Sequence, residues 1–258
     1  MNVSIIGSGN LAWHLAPALD NTDFPVKEVY SRNQKNAKAL AERLYHGEAM
    51  DSLDFSSSPS SIFIIAVSDD VIADVVAQLV LPRDAILIHT SGAQPLDILV
   101  PAATARIGVF YPLQSFTKNR KIDFREIPFF IESDDAETEG ILVRMAKALS
   151  RNVHKISAGQ RLALHVAAVF ASNFTNHMIA VSRDIMKESE LDFEWMKPLV
   201  AETISKCLAL GPDKAQTGPA RRGDLEILDK HMEFLRHDEA LSEIYKVISQ
   251  HLLDRYQE

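Results

Sequence analysis

The stretch from Val3 to Ala12, V-S-I-I-G-S-G-N-L-A, decides how the rest of the chain is read. A short apolar β run stops at Gly7, a turn passes through Gly9, and Ala12 opens a helix. Each small residue has its own reason. Gly7 lets the chain leave the strand in a tight turn, Gly9 has no side chain to hold a diphosphate away, and Ala12 lets the helix lie close on the sheet. The first N–H groups of that helix lack intrahelical acceptors and carry the positive end of its dipole, so an anion is stabilised there. Three small residues at this spacing are a weak signal alone. They gain weight from a strand before, a helix after, and a ribose-reading residue about 20 positions on.

Working outward, residues 10–20 read as the first helix, with Pro17 expected to shorten or kink it. Val26–Tyr30 reads as the second strand, and Ser31-Arg32-Asn33 stands at its end. An NAD site usually offers Asp or Glu there to the ribose hydroxyls. Here a hydroxyl, a guanidinium and an amide take that place, and these are donors suited to a 2′-phosphate. Glu28 lies inside the strand and is less well placed. The spacing therefore favours NADP over NAD, the plainer reading being that Arg32 caps a solvated turn.

Further along, residues 34–45 form an amphipathic helix with Ala37, Leu40, Ala41 and Leu44 on one face, and a short third strand is expected near Glu48–Met50. Ile62–Val67 is a continuous apolar strand, as in a parallel sheet covered on both faces. A helix follows over 70–79. Apolar strands recur at Ala85–His89, Arg106–Tyr111 and Ile127–Ile131, then a helix over about 135–150 and a short strand near Val153–Ile156. This alternation predicts an α/β fold with a doubly wound, mostly parallel sheet. Ligands of such sheets lie beyond the carboxyl ends of the strands. Ser68 and Asp69, His89 to Ser91, Tyr111 and Gln114 collect there, although Asp69 and Ser91 serve equally well as caps and His89 as a satisfied buried histidine.

Strand signals stop near Ser157–Gly159, which places a first domain over 1–157 and an all-α domain over 158–258. A long helix over roughly 159–187 is apolar nearly all round and is expected to be buried, between domains or subunits. At about 100° per residue, Arg161, His165, Ser172, Asn176 and Arg183 fall within roughly 60° of one another, with Asn173 beside them. Such a line is either an interhelical hydrogen-bond seam or the wall of a substrate cleft. Beyond the Gly211-Pro212 stop, the loop from Ala215 to Asp224 holds Arg221 and Arg222 side by side. Fixed cations in an acidic protein suit an anion, while an exposed solubilising loop is the plainer alternative.

Composition bounds the rest. The net charge of -8 argues against a general nucleic-acid or anionic-membrane surface. The single Cys207 cannot form an intramolecular disulfide, so a reducing compartment is expected. No apolar run reaches the ~18 residues of a membrane span, so the expectation is a cytoplasmic protein.

Taken together, G-S-G-N-L-A, I-H-T-S-G, G-V-F-Y-P-L-Q-S-F, H-V-A-A-V-F-A-S-N-F and T-G-P-A-R-R-G-D resemble one group over nearly the whole chain. It is the uncharacterised NADP oxidoreductases with a Rossmann domain and a C-terminal helical domain of unknown function. The wider kin it implies are pyrroline-5-carboxylate reductase, deazaflavin-dependent NADP oxidoreductase and the β-hydroxyacid dehydrogenases. Those relatives bind cofactor on the first domain and commonly dimerise through the second. The hydroxyacid dehydrogenases carry a lysine and an asparagine on the first long helix after the Rossmann domain. This helix offers His165 and Asn173, with no lysine between 156 and 186, so lysine acid catalysis does not transfer.

The resulting expectation is hydride transfer between NADP(H) and a small polar, anionic substrate. Gly7, Ser8, Gly9, Asn10 and Leu11 would hold the pyrophosphate, Ser31 and Arg32 the 2′-phosphate, and Val67, Ser68 and Ser91 the rest of the cofactor. His165 would exchange the proton and Asn173 orient the substrate oxygen. Tyr111, Gln114, Ser172, Asn176, Arg221 and Arg222 would line the substrate site, with Arg222 drawn from either subunit of a homodimer. The rival reading is a sensor that binds NADP without turnover, and a less favoured one is a cofactor-free scaffold.

Overall fold

The computed structural model describes residues 1–256 except 103 and 105. Its sheet has eight strands: β1 (Val3–Ile6), β2 (Val26–Tyr30), β3 (Glu48–Met50), β4 (Ile62–Ile65), β5 (Ile86–His89), β6 (Arg106–Pro112), β7 (Phe129–Glu132) and β8 (Val153–Lys155). They run in the order β3-β2-β1-β4-β5-β6-β7-β8. Every neighbouring pair is parallel except β6 and β7, which are antiparallel. The strand order reverses between β1 and β4, which is where open parallel sheets take ligands.

The central strands are apolar on both sides because both sides are covered. Ile5, Ile62 and Ile64 join one core with the helices α1 (Asn10–Asp20), α2 (Gln34–Ala41) and α4 (Ala136–Leu149). Their neighbours Ile6, Phe63 and Ile65 join the other, with α3 (Ile72–Gln78) and the 3-10 turn Leu96–Ala102. A one-residue slip would exchange the two cores.

Local chemistry explains where elements begin and end. Pro17 does not shorten α1, which runs on to Asp20. Proline cannot donate to the carbonyl four residues earlier, and that carbonyl, Trp13 O, accepts instead from the Arg43 guanidinium. The helix expected over 70–79 starts with a 3-10 turn, Asp69–Val71, before α3. The strand expected over 62–67 stops at Ile65, and Ala66 and Val67 turn outward beside the glycine bend.

The chain divides into two compact units, Met1–Thr175 and Asn176–Glu258. Ser157 closes a capping box with Gln160 at the head of α5 (Ala158–Ala168). That helix, and the π-helical turn Val169–Phe174 after it, belong to the first unit. The second unit holds α6 (Thr175–Glu188), α7 (Lys197–Leu210), α8 (Pro212–Ala215), α9 (Pro219–Arg222), α10 (Leu225–Leu235) and α11 (Glu239–Tyr256). Among the described residues no helix is long and apolar enough to cross a membrane. The apolar helix expected to be buried is open to solvent in the single chain, with Leu162, Val166, Phe170 and Phe174 exposed.

Candidate functional site

The cleft lies in the first unit, at the carboxyl ends of β1, β2 and β4, and has a volume of about 800 Å³. Gly7 makes its floor possible. Its φ is +127°, and a Cβ there would stand 2.2 Å from the Ala66 carbonyl oxygen. Gly9 is the opposite case: its φ of -70° suits any residue, and a Cβ would meet nothing closer than 3.9 Å. No packing or backbone constraint requires glycine at 9. A side chain there would instead fill the mouth of the cleft, beside the first turn of α1, whose N–H groups lack helical acceptors. A bare turn, a helix N-terminus and hydroxyl and amide donors are the donor set a dinucleotide diphosphate needs.

Gly7, Ser8, Gly9, Asn10 and Leu11 line this cleft, and so do Ser31, Arg32, Val67 and Ser68. The Ser8 and Ser31 hydroxyls stand 2.7 Å apart, tying the glycine turn to the end of β2. Arg32 and Asn33 are exposed there, and Asn33 Oδ1 accepts from the N–H groups of Lys35 and Asn36, capping α2. Glu28, the one acid in β2, is buried and accepts from the Ser4 hydroxyl at 2.6 Å and from that of Ser58. Ser91 does not line the cleft; its Oγ accepts from the N–H groups of Ala93 and Gln94 and so closes its own turn. Thr90, one of the polar groups expected at the strand ends, stands on the wall, and so do Asn36, Asp74 and Gln78, which sequence reasoning missed. Asn36 was reachable in principle, since it lies in the same helical turn as the capping Asn33.

A second group of side chains gathers beyond β5 and β6. The Tyr111 hydroxyl is 3.2 Å from His165 Nδ1, and the two rings meet edge to face at 6.2 Å. Both rest on Gly92, where a Cβ would come within 2.6 Å of His165 Nδ1 and 2.8 Å of Tyr111 Cζ. Burial raises the Tyr111 pKa, opposed by the positive charge of Arg161 and reinforced by Asp69. The helical line read from the sequence is thus put to two uses. Arg161, only 1% exposed, is the hydrogen-bond tie: it pairs with Glu132 at 2.9 Å and donates to the carbonyls of Ser91 and Gln94. His165, one turn later, faces Tyr111.

His89 is fully buried. Its Nδ1 accepts from the Ser91 N–H at 3.1 Å, so the proton resides on Nε2, which has no partner among the described residues. Burial first, and Arg161 second, hold its pKa down at about 4. Gln114 is exposed, with Oε1 taken by the Ser115 N–H. Ser172 and Asn173 are exposed on the π turn. Asn176, Arg221 and Arg222 belong to the second unit. There Arg221 lies over the Tyr256 ring at 4.5 Å and donates to the Asp213 carbonyl, while Arg222 is exposed.

Fold and strand order define the class: a Rossmann-like domain followed by a helical one. Residues 1–112 match the Rossmann-like domain family, and residues 127–252 match the domain of unknown function DUF2520. A structure from Bacteroides fragilis, named as a proposed NADP oxidoreductase, is 36% identical with a TM-score of 0.89, covering 98% of each chain. The chain belongs to this family. A Thermotoga maritima protein is 23% identical at a TM-score of 0.82, covering 99% of this chain and 100% of its own. Plasmodium falciparum pyrroline carboxylate reductase with NADP bound shares the fold at 15% identity and a TM-score of 0.58, over 98% of each chain. No protein of curated function matches the chain.

Proposed function

We propose that this protein is an NADP-dependent oxidoreductase acting on a small polar substrate. One observation carries the reading. The glycine cleft ends at Ser31 and Arg32, and the only acid of β2 is turned into the sheet and satisfied by two serines. A 2′-phosphate there meets a guanidinium and hydroxyls, and Glu28 does not line the cleft. The name of the Bacteroides fragilis relative and the NADP in the pyrroline carboxylate reductase structure point the same way.

Gly7, Ser8, Gly9, Asn10 and Leu11 would seat the pyrophosphate, and Val67 and Ser68 the adjoining ribose. The cofactor, when bound, supplies or accepts the hydride. His165 would exchange the accompanying proton through the nitrogen that Tyr111 leaves free, as a general acid or base within reach of the substrate. Asn173, Tyr111, Arg221 and Arg222 remain candidates for orienting the substrate and holding an anionic group on it. The exposed apolar helix face is proposed to be covered by a second copy of the chain.

Titration with NADPH and NADH, followed by cofactor fluorescence, tests the cofactor. Arg32→Ala should weaken NADPH by roughly tenfold or more while changing NADH little, since a charge-assisted contact contributes about 1.5–3 kcal/mol. Equal losses for both would remove the 2′-phosphate assignment. Turnover is tested by NADPH oxidation over a panel of ketones and imines. His165→Ala should then lower the rate by roughly 10²–10⁴ and spare NADPH affinity. An unchanged rate would remove His165 from the chemistry.

A further inference from the structure

The turn His89–Pro95 is held from three sides, and each hold bears on where His165 sits. From within, His89 Nδ1 accepts from the Ser91 N–H, and Ser91 Oγ accepts from the N–H groups of Ala93 and Gln94. From the sheet, the Thr90 hydroxyl donates to the Ile65 carbonyl. From α5, Arg161 donates 3.2 Å to Ser91 O and 2.7 Å to Gln94 O, bracketing Gly92, with Nε on Glu132 of β7. Arg161 and His165 are one α-turn apart and share a face. The anchor of the helix and the ring on Gly92 are therefore rigidly related.

We infer that the buried Arg161–Glu132 pair is a positioning device, which clamps the turn around Gly92 so that His165 presents Nδ1 to the Tyr111 hydroxyl and keeps Nε2 for substrate. Three facts support it. A buried guanidinium is costly unless its donors are used, and here they go to two carbonyls and a carboxylate meeting at one turn. Gly92 has no room for a methyl group between the turn and the two rings. Tyr111 is buried and its burial favours the protonated phenol, so it donates and His165 Nδ1 accepts. With Nδ1 taken up as the acceptor, Nε2 bears a ring proton and faces the substrate as a hydrogen-bond donor. The hydrogen bonds of Arg161 go to Glu132, Ser91 and Gln94, so it holds the rings through the turn, while its charge is also felt at Tyr111.

This rests on the reading of His165 as the proton-exchanging group, and the test separates the two. Diethyl pyrocarbonate acylates the unprotonated imidazole nitrogen, and peptide mass spectrometry reports the rate at each histidine. In the intact protein His165 should react slowly, because Nδ1 is covered by Tyr111. Tyr111→Phe and Gly92→Ala should each raise its rate about tenfold while His14 and His231 keep theirs, and the NADPH dissociation constant should stay within twofold. Arg161→Lys should give part of the same rise, and Arg161→Met together with Glu132→Gln, which leaves no unpaired charge behind, should give all of it. Gly92→Ala keeps the ion pair, so the inference stays testable if the buried double variant fails to fold.

A His165 rate unchanged in Gly92→Ala and Arg161→Lys, or rising only in step with the other histidines, overturns the inference. If the rates change as described but His165→Ala leaves NADPH oxidation intact, the positioning holds and the catalytic assignment falls. Where turnover is found, Arg161→Lys should lower kcat by about tenfold with the KM for NADPH unchanged.

Discussion

At the residue scale the two glycines of the leading turn are separable by experiment. Gly7 is required by the fold: a side chain there meets the Ala66 carbonyl and a φ that L residues rarely adopt. Gly7→Ala should therefore destabilise the protein by about 2–4 kcal/mol, read as a fall in Tm. Gly9 has a permissive φ and open space around it, so Gly9→Val should leave Tm nearly unchanged and weaken NADPH at least tenfold. A large Tm loss in Gly9→Val, or full affinity in it, would contradict the site. Both positions were singled out in the sequence, because strand, small residues and helix are consecutive. The Arg161–Glu132 pair was not, since its partners are 29 positions apart and meet only when β7 joins the sheet.

His89 makes a prediction of its own at this scale. Its pKa falls from 6.5 unfolded to about 4 folded. Between those values the unfolded chain binds the extra proton, so stability declines as pH falls from about 6.5 and the loss is complete near pH 4. The drop amounts to about 3 kcal/mol. His89→Asn keeps an acceptor for the Ser91 N–H and cannot titrate there. Its Tm should run flatter than that of the unaltered protein between pH 6.5 and 4, and parallel curves would rule out His89 as the cause.

At the scale of elements, α5 shows what periodicity can and cannot reveal. The helix expected from about 159 starts at Ala158, where Ser157 and Gln160 close a capping box. Ser157→Ala should lower stability by about 1 kcal/mol, visible in chemical denaturation as a lower midpoint with unchanged slope. The π turn Val169–Phe174 was not readable. Projecting polar residues at a constant 100° assumes 3.6 residues per turn, and a turn with i→i+5 bonding holds more. Ser172 and Asn173 are therefore rotated off the line that carries Arg161 and His165. A π turn often marks a functional position, and this one carries Asn173. The doubly wound, mostly parallel sheet was legible from another signal. Unbroken apolar runs such as Ile62–Ile65 need cover on both faces, and the alternating helices provide it.

At the scale of the whole molecule the open question is what covers the apolar face of α5 and the π turn. Leu162, Val166, Phe170 and Phe174 are spaced four apart and are 48%, 48%, 64% and 47% exposed. On an α-helix a four-residue step overshoots one turn, so such a row would wander. The π turn holds more residues per turn, so the same step falls short and the drift is undone. Phe174 thus comes back beside Phe170, with ring centroids 4.9 Å apart. The result is an exposed aromatic and aliphatic row, the kind of apolar patch that marks an interaction surface. A second copy is the occupant proposed above, and a twofold pairing would lay the stripe on its equivalent. Light scattering should then give twice the 28.7 kDa chain mass at micromolar concentration. Val166→Glu with Phe170→Glu should return the mass to that of one chain, because two buried, unpaired carboxylates facing their symmetry copies cannot be desolvated. Neither residue lines the glycine cleft, so NADPH affinity should survive the change. A monomeric parent protein, or a double variant that stays at twice the mass, would show that this stripe is covered by something else.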